Sequence, residues 1–189
     1  MEIFSSFIFG SKIPNHTEIN SKLETFAYDY QSNNKTKNIS NRGGYHTDII
    51  TNEPVFKEFF TIAKPLILNS IKNLNIKDIS VIGSWININN KNAYNTEHNH
   101  PECDLAAVYY IKTPKNCGRI YMNNPIPQAL MNQKMKNTKL NVYSQHLYFD
   151  INEGMVFIFP GWLFHGVESN QNEEDRISMA FNLNIENFN

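Results

Sequence analysis

The sequence predicts a mainly β fold with flanking α, a sandwich or barrel of jelly-roll type with N-terminal helices packed on it. Three observations predict it. Helical candidates are confined to the first 75 or so residues. From residue 79 the apolar period changes to two, as in a half-buried strand. Short β candidates then follow one another, separated by Gly, Pro and Asn turns.

In chain order, residues 2–9 form a short apolar strand candidate and residues 17–30 a polar helical one. A Ser/Asn/Lys loop over residues 33–41 leads into Arg42-Gly43-Gly44-Tyr45, a flexible connection. Residues 53–74 repeat Phe56, Phe59, Phe60, Ala63, Leu66 and Ile67 near helical spacing, and Pro65 is expected to kink or interrupt that helix. Residues 79–89 alternate as a strand, and 105–112, 119–122, 145–150, 155–159 and 176–185 continue the β pattern. Residues 123–143 begin with Pro125 and Pro127 and continue as a polar Asn/Lys/Gln tract, which predicts a long functional loop.

At 189 residues the chain has the length of one domain with one core, burying roughly 70% of its unfolded surface. We expect a single domain over 1–189, with 1–78 as helical flank and first strands, and 79–189 as the β core that carries the site. The 17 basic and 18 acidic residues give a net charge of -1, no reason to expect nucleic acid or an anionic membrane as partner. An anionic ligand would then be held by one or two placed cations. The N-terminus lacks a basic signal-peptide start, and no run approaches the roughly 18 apolar residues of a membrane span. Cys103 and Cys117 read as free thiols of a reducing, cytoplasmic compartment. Nothing in the sequence sets an oligomeric state.

The chemistry concentrates in His98-Asn99-His100-Pro101, Phe159-Pro160-Gly161-Trp162-Leu163-Phe164-His165 and Arg176-Ile177-Ser178. Histidines at i and i+2 project from one side of a strand, so one ion can reach both, and imidazole suits Fe, Zn, Cu and Ni. His165 follows a buried-strand signal and a Pro-Gly bend, where a third ligand could be presented. On the strand from residue 176, Arg176, Ser178, Ala180 and Asn182 share one face, and Ile177, Met179 and Phe181 the other. An arginine and a serine so placed can clamp a carboxylate through a fork and a hydroxyl. His16, His46 and His146 read as structural or surface residues, Trp85 and Trp162 as packing, and Cys103 as a small buried residue.

The ordered set of His98-x-His100-Pro101, the strand Leu105-Ala-Ala-Val-Tyr-Tyr110-Ile, Gly118-x-Ile, Gly154-x-Val-x-x-Phe159-Pro160-x-Trp162-x-x-His165-x-Val167 and Arg176-x-Ser178-x-x-x-Asn182 resembles the non-haem iron and 2-oxoglutarate-dependent oxygenases. It is most similar to their small bacterial and phage branch related to prolyl hydroxylases. The resemblance covers roughly residues 85–184. It implies a double-stranded β-helix in which His98 and His165 hold Fe(II), and Arg176 with Ser178 grips the C5 carboxylate of 2-oxoglutarate. It also places Tyr110 on that carboxylate, and Asn87, facing the same way as Asn89, in the lining of the pocket.

The family pattern has a carboxylate where this chain has His100, and that leaves three arrangements open. One is a three-histidine site of His98, His100 and His165, which strand geometry favours. Another uses His100-Pro101-Glu102 as His-x-Glu, and the last has Asp104 or water in the third position. Imidazole in place of a carboxylate leaves the site one charge more positive. The expected activity is an Fe(II)- and 2-oxoglutarate-dependent dioxygenase that hydroxylates a peptidyl or amino-acid side chain, prolyl-like, releasing succinate and CO2. Its partner would be a small molecule or peptide. Two rivals are a non-catalytic, cupin-like metal-binding or sensing protein and a carbohydrate-binding or structural jelly roll.

Overall fold

The computed structural model describes residues 6–126, 128, 131 and 144–188. The major sheet contains β1 (Phe9–Lys12), β3 (Tyr45–His46), β4 (Ile76–Asn89), β6 (Leu105–Lys112), β9 (Met155–Pro160) and β11 (Arg176–Phe188), ordered β1-β9-β6-β11-β4-β3. The minor sheet contains β2 (Asn41–Arg42), β5 (Tyr94–His98), β7 (Ile120–Asn123), β8 (His146–Phe149) and β10 (His165–Val167), ordered β2-β5-β10-β7-β8. Every pairing within them is antiparallel. The two sheets and two helices form the expected mainly β jelly roll with helical flank.

Both faces of the major sheet are covered. On its outer face Ile86, Ile88, Tyr109, Ile158, Ile177, Met179 and Phe181 pack on helices α1 (Thr17–Asn33) and α2 (Pro54–Ser70) through Leu23, Ala27, Phe56, Phe59, Ala63 and Ile67. Phe59 sits between two strands, its ring centroid 4.6 Å from Tyr109 and 5.8 Å from Phe181. Each such fully buried side chain contributes about 1.5–3 kcal/mol. On the inner face Ala106, Val108, Tyr110, Phe157 and Phe159 meet Ile120, Met122 and Leu163 from the minor-sheet side. A strand buried on both faces has no polar face to display, which is why β6 reads as an unbroken apolar run. On β11 the alternation holds as expected, with Ile177, Met179 and Phe181 toward the helices and Arg176 and Ser178 turned inward.

Several boundaries differ from the sequence expectation. The first strand is Phe9–Lys12, paired with β9, not residues 2–9; Phe7 and Ile8 pack without joining a strand, and residues 2–5 lie outside the described residues. Pro65 lies inside α2 without ending it. It is exposed, as is Thr61, whose carbonyl the missing N–H would have bonded, so water can satisfy that oxygen. A 3-10 turn (Lys72–Leu74) follows, closed by Asn75 in the left-handed conformation at φ 61°. The short strands β2 and β3 were hidden in segments that read as loop, and β5 ends at His98, where the histidine pair was expected to lie together on one strand. Asn123 belongs to β7, and most of the predicted 123–143 loop lies outside the described residues. Among the described residues no helix is long and apolar enough to cross a membrane.

Candidate active site

His98 is the last residue of β5, and antiparallel pairing with β10 sets it directly against His165. His100 arrives differently from the expectation. It is not on the strand; residues 99 and 100 have left it, and a turn follows at Pro101. The His100 N–H donates to Gly161 O at 2.7 Å, and the Gly161 N–H donates to Asp104 O at 3.0 Å. The loop after β5 is thereby fastened to the Pro160-Gly161 bend from which β10 departs. Only glycine permits that approach, since a Cβ at residue 161 would stand 2.6 Å from His100 O.

The result is convergence of three imidazoles. Ring centroids lie 4.4 Å apart for His98 and His165, 5.0 Å for His98 and His100, and 5.2 Å for His100 and His165. One ligand atom from each lies within 4.8 Å of the others. His98 Nδ1 is 2.8 Å from Thr96 O, and His165 Nδ1 is 2.9 Å from Leu163 O. A carbonyl only accepts, so both Nδ1 atoms carry the hydrogen and both Nε2 atoms present a lone pair. Burial lowers all three pKa values, His165 to about 3 and His100 to about 4, with the neighbouring His98 adding to both. The rings are therefore neutral at pH 7, the state that binds a metal. Glu102 is exposed and the Asp104 carboxylate accepts the Ile185 N–H at 2.8 Å, so neither joins the group.

Beside the histidines the inner face of the major sheet carries a polar row. Register aligns His46 with Asn87, Asn87 with Ser178, and Ser178 with Tyr110, while Arg176 pairs with Asn89. Arg176 is only 1% exposed. Its Nη1 donates to Cys117 O and to Glu168 O, whereas Nη2 has no partner. Among the described residues no carboxylate pairs with it, because that of Glu168 is taken by Arg119 at 2.9 and 3.1 Å. The Tyr110 hydroxyl, Asn87 Oδ1 and both amide atoms of Asn89 are likewise buried and unpartnered. Burial raises the Tyr110 pKa, so its phenol remains an O–H donor. Buried polar groups are nearly always satisfied, and a buried charge without a counterion is costly. The open donors of the cluster suit an anionic, hydrogen-bonding ligand, and the neutral histidines suit a divalent metal, so the residues present fit the groups implied by the sequence.

Residues 83–182, more than half of the chain, match the family described as putative 2OG-Fe(II) oxygenase. The chain belongs to that oxygenase family. No curated protein matches the sequence. The fold of the oxygenase is similar to that of a Pseudomonas putida prolyl-4-hydroxylase, with TM-score 0.65 and 12% identity over 97% of this chain and 95% of that one. HygX from Streptomyces hygroscopicus, solved with nickel, 2-oxoglutarate and hygromycin B bound, gives TM-score 0.66 and 12% identity over 95% and 83%. A prolyl hydroxylase from Trichoplax adhaerens, in complex with a hypoxia inducible factor peptide fragment, gives 0.62 and 11% over 94% and 83%. Family membership makes the oxygenase an Fe(II)- and 2-oxoglutarate-dependent enzyme, in place of the metal-binding or carbohydrate-binding rivals.

Of the residues expected in the site, the structure brings His98, His100 and His165 together and lines up Asn87, Ser178, Tyr110 and Arg176 beside one another. Two inward-facing residues were missed as site neighbours. Asn89 is fully buried, and its position opposite Arg176 needed the β4–β11 register to be seen. His46 is buried and stacks on Trp85 at 5.6 Å, and Trp85 lies 5.6 Å from His100 on its other contact. The alternation of Tyr45 and His46 was the available signal, masked because β3 is two residues long. His16 packs under Gly154 at the start of α1, and His146 sits 3.7 Å from Glu97, in keeping with structural roles.

Proposed function

We propose that the oxygenase hydroxylates a peptidyl or amino-acid side chain of the prolyl kind, with Fe(II) held by His98, His100 and His165 and 2-oxoglutarate held by Arg176, Ser178, Tyr110 and Asn87. The observation that carries this reading is a buried guanidinium with a free Nη2, set in the same inter-sheet space as three convergent neutral imidazoles. The prolyl preference is supported by the motif resemblance and by the near full-length likeness in fold to a prolyl-4-hydroxylase.

When bound, Fe(II) and 2-oxoglutarate supply the oxidising chemistry, in which dioxygen converts the cosubstrate to succinate and CO2 and one oxygen atom enters a substrate C–H bond. The chain's own residues bind and orient. Thr96 O and Leu163 O fix the tautomers of His98 and His165, so no proton must leave these ligands when metal enters. Arg176 supplies the fixed positive charge for the distal carboxylate, and the Tyr110 O–H and Ser178 hydroxyl supply further donors. Three neutral ligands leave the divalent charge undiminished, which strengthens its pull on a dianionic cosubstrate. The apolar inner face, with Val108, Phe157 and Phe159, keeps water from the pocket.

The test is anaerobic loading with Fe(II), then oxygen, 2-oxoglutarate and a panel of proline-containing peptides. Succinate formation coupled to gain of one oxygen by a prolyl residue is expected, and both are lost in His165→Ala. Coupled oxidation confined to non-peptide substrates would overturn the prolyl assignment, and undiminished turnover in His165→Ala would overturn the metal assignment.

A further inference from the structure

We infer that Asn89 is a further binding residue for the cosubstrate, its side-chain amide donating to a distal carboxylate oxygen that Arg176 leaves uncovered. The inference rests on the assignment of Arg176 to that carboxylate. An arginine grips a carboxylate most strongly with two parallel N–H groups from different nitrogens. Here Nη1 has both of its hydrogens committed, one to Cys117 O and one to Glu168 O. The end-on fork through Nη1 and Nη2 is therefore closed, and Nη2 is the terminal nitrogen that remains. An ionised carboxylate has about four lone-pair sites to satisfy. Arg176 and the Tyr110 O–H leave part of that capacity open.

Asn89 is placed to fill it. It is 0% exposed, and neither amide atom has a partner, the largest unsatisfied capacity of any one side chain among the described residues. It is the direct cross-strand partner of Arg176, which puts the two Cβ atoms roughly 5 Å apart on the inward face. On its other flank stands Gly44, where a Cβ would lie 3.1 Å from Asn89 Nδ2. Glycine brings no side-chain acceptor to that flank. A buried amide NH2 with no acceptor, between a bare backbone and a guanidinium that no carboxylate pairs with, fits an acceptor-rich anion brought by the ligand.

The test is calorimetric titration of 2-oxoglutarate into the Mn(II)-loaded, oxygen-free protein, wild type against Asn89→Leu, with Mn(II) affinity measured separately by electron paramagnetic resonance. Removing a donor to a charged acceptor is expected to weaken 2-oxoglutarate about 10- to 100-fold while Mn(II) affinity stays within about two-fold. Unchanged 2-oxoglutarate affinity overturns the role of Asn89 and leaves that of Arg176 standing. Equal loss of Mn(II) and 2-oxoglutarate affinity shows general damage to the site and also overturns it. Absence of 2-oxoglutarate binding in the Mn(II)-loaded wild type overturns the assignment of Arg176 as well. Where Asn89→Leu does not fold, the isosteric Asn89→Asp serves; its like charge is expected to weaken binding at least as much, and unchanged affinity there overturns the inference.

Discussion

His165 faces His98 across the β10–β5 ladder with ring centroids 4.4 Å apart, although 66 residues separate them in the chain. Two ligands on paired strands cannot move apart without breaking the ladder. Loss of either imidazole by His98→Ala or His165→Ala is therefore expected to weaken Mn(II) binding by about 100-fold or more. Glu102→Gln, on an exposed side chain, is expected to leave it within about two-fold. Equilibrium binding of Mn(II) checks both, and a large loss in Glu102→Gln would restore the His-x-Glu arrangement.

The same burial that keeps the histidines neutral makes the metal-free protein acid-sensitive. Unfolded, each takes up a proton near 6.5; folded, His165 does so at about 3 and His100 at about 4. Between those limits only the unfolded chain holds the proton. The stability is thus fully present above pH 6.5 and falls as pH drops, by up to about 1.4 kcal/mol per pH unit for each histidine. Thermal melts of the metal-free protein at stepped pH are expected to show a plateau near neutrality and a steep decline below it. A flat profile through that range contradicts the burial.

Gly161→Ala is expected to disturb His100 through its backbone, without contact to the imidazole. The added methyl would press on His100 O and Cys103 O, the backbone seam that fastens the two ligand-bearing loops. Overpacking of this kind costs about 1–3 kcal/mol, or roughly 2–4 °C in Tm per kcal/mol for a chain of this length. Melting and Mn(II) titration on the same sample are expected to fall together.

Arg176→Lys keeps the charge and loses the geometry. The shorter ammonium cannot hold Cys117 O and Glu168 O and also reach a carboxylate, so 2-oxoglutarate affinity is expected to fall about 100-fold. Calorimetry on the Mn(II)-loaded protein measures it, and retention of wild-type affinity would show that charge alone holds the cosubstrate.

Phe59→Ala probes the other face of the same sheet. Phe59 is 0% exposed and packed on Tyr109 and Phe181, and its truncation is expected to cost about 3–5 kcal/mol by chemical denaturation. It lies on the helix-covered face of the sheet, away from the histidines on the inner side, so Mn(II) affinity in the folded fraction is expected to persist.

What could be read from the sequence was local. Alternation on β11 assigned Arg176 and Ser178 to one face and Ile177, Met179 and Phe181 to the other, because strand period is a property of neighbouring residues. The apolar stretch of β6 marked it as a strand, while its cover on both sides came only with the fold. The ordered histidine, proline, arginine and serine motifs carried the family and its cofactors. Tertiary structure decided everything that depends on pairing across the fold. His100 joins its partners through a hydrogen bond to Gly161 and not through strand periodicity, and His46 reaches the site by way of Trp85. Asn89 comes to Arg176 only in the register of β4 with β11. These relations connect residues tens of positions apart through backbone hydrogen bonds, whose partners no local pattern specifies.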